Sequence, residues 1–278
     1  MAGGDRRAVR IRAFREPFDP PRDTLAAVEE YGQELAPDDP SLADWHVSYV
    51  SNHAARIALD LAAISNHVGT TPRILEVGSI PLLLTTALSR AGYDVTGVDL
   101  APERYASAIK RVGLNVARCD IEMEALPFED RSFDVVIFNE LLEHLRINPV
   151  FTLSQVARVI QPGGTLFLST PNLKSLGGLR NLLLRDRAYS CSADIYTEYR
   201  KLEVLGHMGH VREYTVTEVA DFLRHLGLVT EEIIYRGSYR GSVANLMIRV
   251  IPSLSPFVSF IATRDSQAQA GHSKSNSL

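Results

Sequence analysis

The stretch from Arg73 to Leu100 constrains this chain more than any other. Ile74, Leu75 and Val77 form a short apolar run that ends at Gly78, as a buried parallel strand would. Leu82, Leu83, Thr86 and Ala87 follow at helical spacing, and Gly92 stops that helix. A second run, Asp94 to Val98, closes with Asp99. Strand, helix and strand in this order predict a parallel sheet with a right-handed crossover. Gly78 lets the backbone turn sharply and approach a ligand where a side chain would collide. Asp99 stands roughly 20 positions after that turn, where an acid can accept two hydrogen bonds from a ribose diol. Ligands of such sheets sit beyond the carboxyl ends of the strands, and both residues fall there.

The rest of the chain extends the pattern. Thr24 to Leu35 predicts a short helix with Leu25, Val28, Tyr31 and Leu35 on one stripe, and Ser41 is placed to cap a longer helix running through Trp45, Tyr49 and His53 toward Leu61. Pro102 to Val112 reads as a helix, Asn115 to Arg118 as a third strand, and Val135 to Phe138 as an unbroken apolar strand. Pro162-Gly163-Gly164 turns into the strand Thr165 to Ser169. Further on, Thr215 caps a helix from Val216 to His225, Val229 to Tyr235 is a strand, Val243 to Ile251 an apolar helix or crossover, and Phe257 to Thr263 the last strand. Residues 1 to 22 carry Arg6, Arg7, Arg10, Arg12 and Arg15 among Pro17, Pro20 and Pro21, and are expected as a mobile or loosely docked arm. Ser266 to Leu278 is polar and Ser-rich and is expected to be disordered.

Composition narrows the function classes. With 278 residues and 45% hydrophobic content the chain can build one large domain. A net charge of −4 argues against general nucleic-acid binding. Cys119 and Cys191, the only cysteines, provide no disulfide framework and no cysteine-rich zinc site. No apolar run is long enough for a membrane span, and the opening residues lack an apolar signal core. A cytoplasmic protein is expected.

Glu76-Val77-Gly78 followed by Gly97-Val98-Asp99 resembles the class I S-adenosylmethionine (SAM)-dependent methyltransferases. The first motif of that family is an acid, a residue, then three alternate glycines. This chain keeps Glu76 and Gly78 but has Ile80 and Leu82 at the second and third glycine positions, with Pro81 between them. Two later landmarks add to the resemblance: Cys119-Asp120-Ile121 after the third strand, and Leu126-Pro127-Phe128 with Ser132-Phe133-Asp134 before the fourth. The glycine fingerprint of an NAD-type dehydrogenase is missing.

The resemblance, covering about residues 70 to 265, implies an α/β, doubly wound, mostly parallel seven-stranded sheet. An N-terminal helical extension (23–69) precedes it, and a long insertion (173–208) follows the fifth strand as a lid, substrate wall or dimer element. The resemblance also implies SAM as cofactor. Glu76, Gly78, Ser79 and Ile80 would wrap the methionine and ribose, Asp99 and Leu100 would hold the ribose, Asp120 and Ile121 the adenine, and Asn139 would lie at the end of the next strand. Trp45, His46 and Tyr49 are candidates for a substrate pocket or for packing on the sheet.

Asn139-Glu140-Leu141-Leu142-Glu143-His144-Leu145 carries the chemistry. On a helix Glu140, Glu143 and His144 would share a face, where two carboxylates and an imidazole can bind a divalent ion or tune one base. The Glu-x-x-Glu-His pattern resembles small-RNA 2′-O-methyltransferases and ubiquinone-pathway O-methyltransferases. By that resemblance Glu140, Glu143, His144 and His210 are metal ligands, with His207 the alternate and magnesium or manganese the expected ion. His144, with Glu140, is the expected catalytic group: a metal-free base in one reading, a ligand in the other. A third reading leaves the two acids as helix-start residues and His144 as packing.

A hydroxyl is the expected acceptor, because an alcohol proton does not leave unaided at neutral pH. Arg180, Arg185, Arg187 and Arg200 mix with Tyr189, Tyr196 and Tyr199 in the insertion, which suits a sugar or other polyhydroxyl acceptor, or a homodimer contact. The chain also looks similar to actinobacterial sugar O-methyltransferases of the methylmannose polysaccharide type. Quinone or phenol methylation, RNA ribose methylation and a catalytically dead SAM-fold binding protein stand as alternatives.

Overall fold

The computed structural model describes residues 9–13, 20–69, 71–192, 194–205 and 209–265. Eight strands form one sheet: β1 (Arg10–Ala13), β2 (Arg73–Val77), β3 (Asp94–Asp99), β4 (Asn115–Arg118), β5 (Phe133–Asn139), β6 (Ile160–Pro171), β7 (Leu228–Arg236) and β8 (Phe257–Arg264). Their order is β1-β7-β8-β6-β5-β2-β3-β4. β8 runs antiparallel to β6 and β7, and every other neighbouring pair is parallel. The parallel strands are buried on both faces. Leu75, Val77, Val136, Phe138, Leu166 and Leu168 pack on one side, while Ile74, Val135, Ile137 and Phe167 pack on the other. Alternating apolar residues on two covered faces are what a doubly wound sheet requires.

The eighth strand is a correction to the seven expected. Arg10–Ala13 pairs in parallel with β7 at the sheet edge, so this part of the arm is docked. Val9 and Ile11 alternate with Arg10 and Arg12, but both are exposed, at 44% and 65%. Arg6, Arg7, Arg15 and the 266–278 tail lie outside the described residues.

The N-terminal extension folds as α1 (Arg22–Glu34) and α2 (Ala43–His67) over one face of the sheet. The cap before α2 differs from the expected Ser41. Asp39 accepts the Ser41 amide and caps a one-turn 3-10 helix, Pro40–Leu42, that leads into α2. The crossover helices are α3 (Leu83–Arg90), α4 (Ala106–Val112) and α5 (Pro149–Val159). The insertion contains α6 (Leu176–Arg185) and α7 (Ile195–Leu205), after which come α8 (Val216–His225) and α9 (Ser242–Val250). Thr215 caps α8 in a full capping box with Glu218, as its sequence position requires. No helix among the described residues is long and apolar enough to cross a membrane.

Candidate active site

β2, β3, β4 and β5 lie side by side in parallel, so the residues that follow their carboxyl ends share one edge of the sheet. Gly78 turns at φ 76°, and a side chain there would press on Leu141, whose Cδ2 lies 3.1 Å from the position of a Cβ. The Gly78 and Ser79 amides both donate to the Val98 carbonyl, at 2.8 and 3.2 Å, which ties the loop to β3. Asp99 is held by the same loop. Its Oδ2 accepts the Ile80 amide at 3.0 Å and its Oδ1 accepts the Ala101 amide at 3.2 Å. Leu100 is at the surface beside it.

The residue at the third glycine position keeps the backbone that glycine would supply. Leu82 sits at φ 74° with its side chain fully buried, and its amide donates to the Ser79 carbonyl at 2.6 Å. The Ser79 hydroxyl is buried without a hydrogen-bond partner and packs where a Gly97 Cβ would stand. Glu76 lies in β2, just ahead of this loop. It is buried, and its carboxylate accepts the Thr85 hydroxyl from α3. Burial pushes its carboxyl up to about 8, against the Thr85 hydrogen bond and the Arg56 charge.

Past β4, Asp120 closes a turn in which its Oδ1 accepts the Glu122 amide at 3.1 Å. The Ile121 side chain packs on the core beside it, and its carbonyl accepts the Thr152 hydroxyl. Asn139 ends β5 and lines a small cavity under α2 with Asp60 and Arg236. Gly78, Asp99, Asp120 and Ile121 therefore fall along one edge of the sheet, after β2, β3 and β4.

The Glu140–His144 segment is not the expected α-helix. Glu140 takes φ 50°, and only Leu142–His144 forms a turn, of 3-10 type. Glu140 Oε1 accepts the Ser169 hydroxyl at 2.8 Å and Arg236 Nη2 at 3.2 Å. Glu140 is not among the residues whose ligand atoms converge, and one of its carboxylate oxygens is taken by β6 and β7. Glu143, His144 and His210 do come together, each offering one ligand atom within 4.8 Å of the others. The His144 and His210 rings meet edge to face at 5.0 Å. Glu143 is 1% exposed. Its Oε2 accepts the Thr170 hydroxyl at 3.0 Å, and its Oε1 has no hydrogen-bond partner among the described residues. Burial, reinforced by Glu140, pushes the Glu143 carboxyl up to about 8, although His210 pulls it down. His207 lies outside the described residues.

His210 is fixed by the insertion. Its amide donates to Glu198 of α7 at 3.0 Å, and its Nδ1 donates to Glu213 Oε1 at 3.1 Å. Burial disfavours the imidazolium, but Glu213, Glu143 and Glu198 outweigh it and raise the His210 pKa. Burial likewise opposes the Glu213 carboxylate, yet hydrogen bonds from His210 and Ser190 hold its pKa down at about 2. A cleft of about 670 Å³ opens between the insertion and this segment, lined by Arg187, Tyr189, Asp194, Tyr196 and Arg212 among others.

The leading-helix candidates divide. His46 is a core residue, bridging the Gly32 carbonyl and the Tyr105 hydroxyl at 2.9 Å each. Trp45 and Tyr49 stack at 5.1 Å, and the Tyr49 hydroxyl accepts Arg56 Nη2 at 3.0 Å. Arg56 begins a buried charge network that sequence reasoning missed. Arg56 pairs with Asp60 at 3.5 Å, Asp60 with Arg236 Nη1 at 2.5 Å, and Arg236 with Glu140. The i,i+4 spacing of Arg56 and Asp60 was visible in the sequence, but nothing local pointed to Arg236, 176 positions beyond Asp60.

Comparison with known proteins agrees with this architecture. Residues 75–168 match the family model described as methyltransferase domain, about a third of the chain. A ubiquinone biosynthesis O-methyltransferase of Xanthomonas axonopodis pv. citri is 32% identical over 166 residues, 58% of this chain and 64% of that protein. Its counterpart in Methylococcus capsulatus is 38% identical over 104 residues, 36% of this chain and 44% of that one. The chain thus spans about half to two thirds of the length of these curated relatives. A SAM-dependent methyltransferase of Thermotoga maritima superposes with a TM-score of 0.54 at 16% identity, covering 81% of this chain and 97% of the other. A SAM-dependent methyltransferase of Mesorhizobium loti gives 0.51 at 21% identity, covering 74% and 97%. The fold is that of the SAM-dependent methyltransferases, a Rossmann-like α/β sheet preceded by N-terminal helices.

Proposed function

We propose that this protein is a SAM-dependent O-methyltransferase acting on a hydroxyl of a small molecule. The observation that carries this reading is the convergence of His144, the buried Glu143 and His210 within 4.8 Å, at the same strand edge as Gly78 and Asp99. The cofactor positions fit a nucleoside: Asp99 is oriented by two loop amides, and Gly78 permits close approach. When bound, SAM supplies a methyl group already activated on a sulfonium sulfur. Asp99 would accept hydrogen bonds from the ribose hydroxyls and Asp120 from the adenine amino group, with the Ile121 amide toward the ring. Gly78, Ser79 and Ile80 would form the wall through their backbone, with Leu100 and Asn139 at the ends of the neighbouring strands as further binding residues. The enzyme then has mainly to align donor and acceptor and exclude water. His144 takes the acceptor proton as general base.

A divalent metal would fit Glu143, His144 and His210, and the partnerless Glu143 Oε1 favours it. There it would lower the pKa of a bound hydroxyl. Aromatic and polar side chains in the insertion cleft support a sugar or other polyhydroxyl acceptor. The names of the relatives favour a phenolic hydroxyl of a quinone precursor as the second reading. Release of S-adenosylhomocysteine, measured against panels of sugars and catechol-type phenols, separates them. Turnover of a panel member that falls about 10²–10⁴-fold in His144→Ala, with SAM affinity retained, is the expected result. Unchanged turnover in that variant would remove His144 from the chemistry.

A further inference from the structure

Beneath the insertion the chain gathers a different set of ligand atoms. Cys191 Sγ lies 3.6 Å from His210 Nδ1 and 3.5 Å from Glu213 Oε1, and His210 Nδ1 is 3.1 Å from that same oxygen. We propose that Cys191, His210 and Glu213 form a binding site for a thiophilic divalent cation of the zinc class.

The triangle has the dimensions of a tetrahedral zinc face. Bonds of about 2.3 Å to sulfur and about 2.0–2.1 Å to nitrogen and oxygen, at tetrahedral angles, give S–N and S–O edges of about 3.5 Å and an N–O edge of about 3.3 Å. Each observed edge lies within about 0.2 Å of that geometry. Three protein ligands leave a fourth position for water or another oxygen ligand.

The site is also built. Glu213 is 2% exposed, and the Ser190 amide at 2.5 Å and the Ser190 hydroxyl donate to its Oε2. The Ser192 hydroxyl donates to Oε1 at 2.9 Å. Outer partners of this kind fix a carboxylate for ligation before the ion arrives. The exposed Cys191 provides the way in. A thiolate and an imidazole select zinc or cobalt over magnesium, which prefers oxygen ligands and retained waters. Ligation displaces the thiol proton of Cys191 and the proton that His210 donates to Glu213, so uptake of the ion releases protons to solvent. Because Cys191 belongs to the insertion and the other two ligands follow it, a bound ion pins the insertion against the 210–213 segment. His210 also belongs to the Glu143–His144 group, so the two arrangements compete for one imidazole.

Titration of the metal-free full chain with cobalt(II) tests this without SAM or acceptor, and so stands or fails apart from the methyl-transfer reading. The expected result is a near-ultraviolet thiolate-to-cobalt charge-transfer band with tetrahedral visible absorption, both displaced by zinc. The band is lost in Cys191→Ser and kept in Cys119→Ser, with circular dichroism confirming that each variant folds. Absence of cobalt binding, or a band that survives Cys191→Ser, overturns the proposal. So does binding that shows no band and disappears in Glu143→Gln, which places the ion with Glu143 and His144 instead.

Discussion

Leu82 combines two demands that usually exclude each other, a left-handed backbone and a fully buried side chain. The backbone costs about 1–2 kcal/mol for a residue with a Cβ, and the buried side chain offsets it. Leu82→Ala keeps the backbone cost and loses the packing, so it should destabilise the fold by about 2–5 kcal/mol. Leu82→Gly loses the same packing but relieves the backbone. Urea denaturation should therefore find the glycine variant about 1 kcal/mol more stable than the alanine variant, the reverse of the order inside a helix. Finding alanine the more stable would mean that φ is not strained there.

Glu76 makes a pH prediction at the same scale. Burial pushes its folded pKa up to about 8 from the ordinary carboxyl value of 4.5. Between those values the folded state holds a proton that the unfolded state has released. Its contribution to stability is therefore fully present below about pH 4.5 and declines as pH rises toward 8. Glu76→Gln should flatten this decline, making the variant the more stable protein at pH 9, as thermal unfolding across pH would show. Parallel curves for the two proteins would contradict this.

Among the elements, α2 is joined to the site by charge as well as by apolar packing. Asp60 on α2 and Glu140 on the turn after β5 share the guanidinium of Arg236 on β7, which is 2% exposed. Removing one partner leaves buried charges unmatched, so Arg236→Met should cost about 3–5 kcal/mol in chemical denaturation. A loss below about 1 kcal/mol would show the network to be dispensable. This element-scale organisation is where legibility in the sequence breaks down. β2, α3 and β3 are readable because their apolar residues and glycines lie close together in the chain. Asp99 is readable for the same reason. The fate of Glu140 is not, because the residues that claim it, Ser169 and Arg236, are distant in sequence, and helical spacing carries no sign of a positive φ. Glu213 lies in a stretch whose histidine drew notice first, and Cys191 meets it only once the insertion folds back. β1 is hard to read because its alternation, Val9 and Ile11 against Arg10 and Arg12, is short and lies in an arginine- and proline-rich stretch that reads as an arm.

Taken whole, the molecule is a methyltransferase fold whose first loop carries Ile80 and Leu82 at two glycine positions of the motif it resembles. Gly78 and Leu82 supply the two left-handed residues, and Asp99 remains tied to the Ile80 amide. The insertion is anchored on the site side by Glu198 and Glu213, which places its cleft next to His210. Titration calorimetry with SAM tests most directly whether this architecture still holds its cofactor. The account predicts one-to-one binding with Kd of about micromolar order, weakened at least about tenfold in Asp99→Asn. No binding by the folded wild-type protein, or equal affinity in the variant, would contradict it.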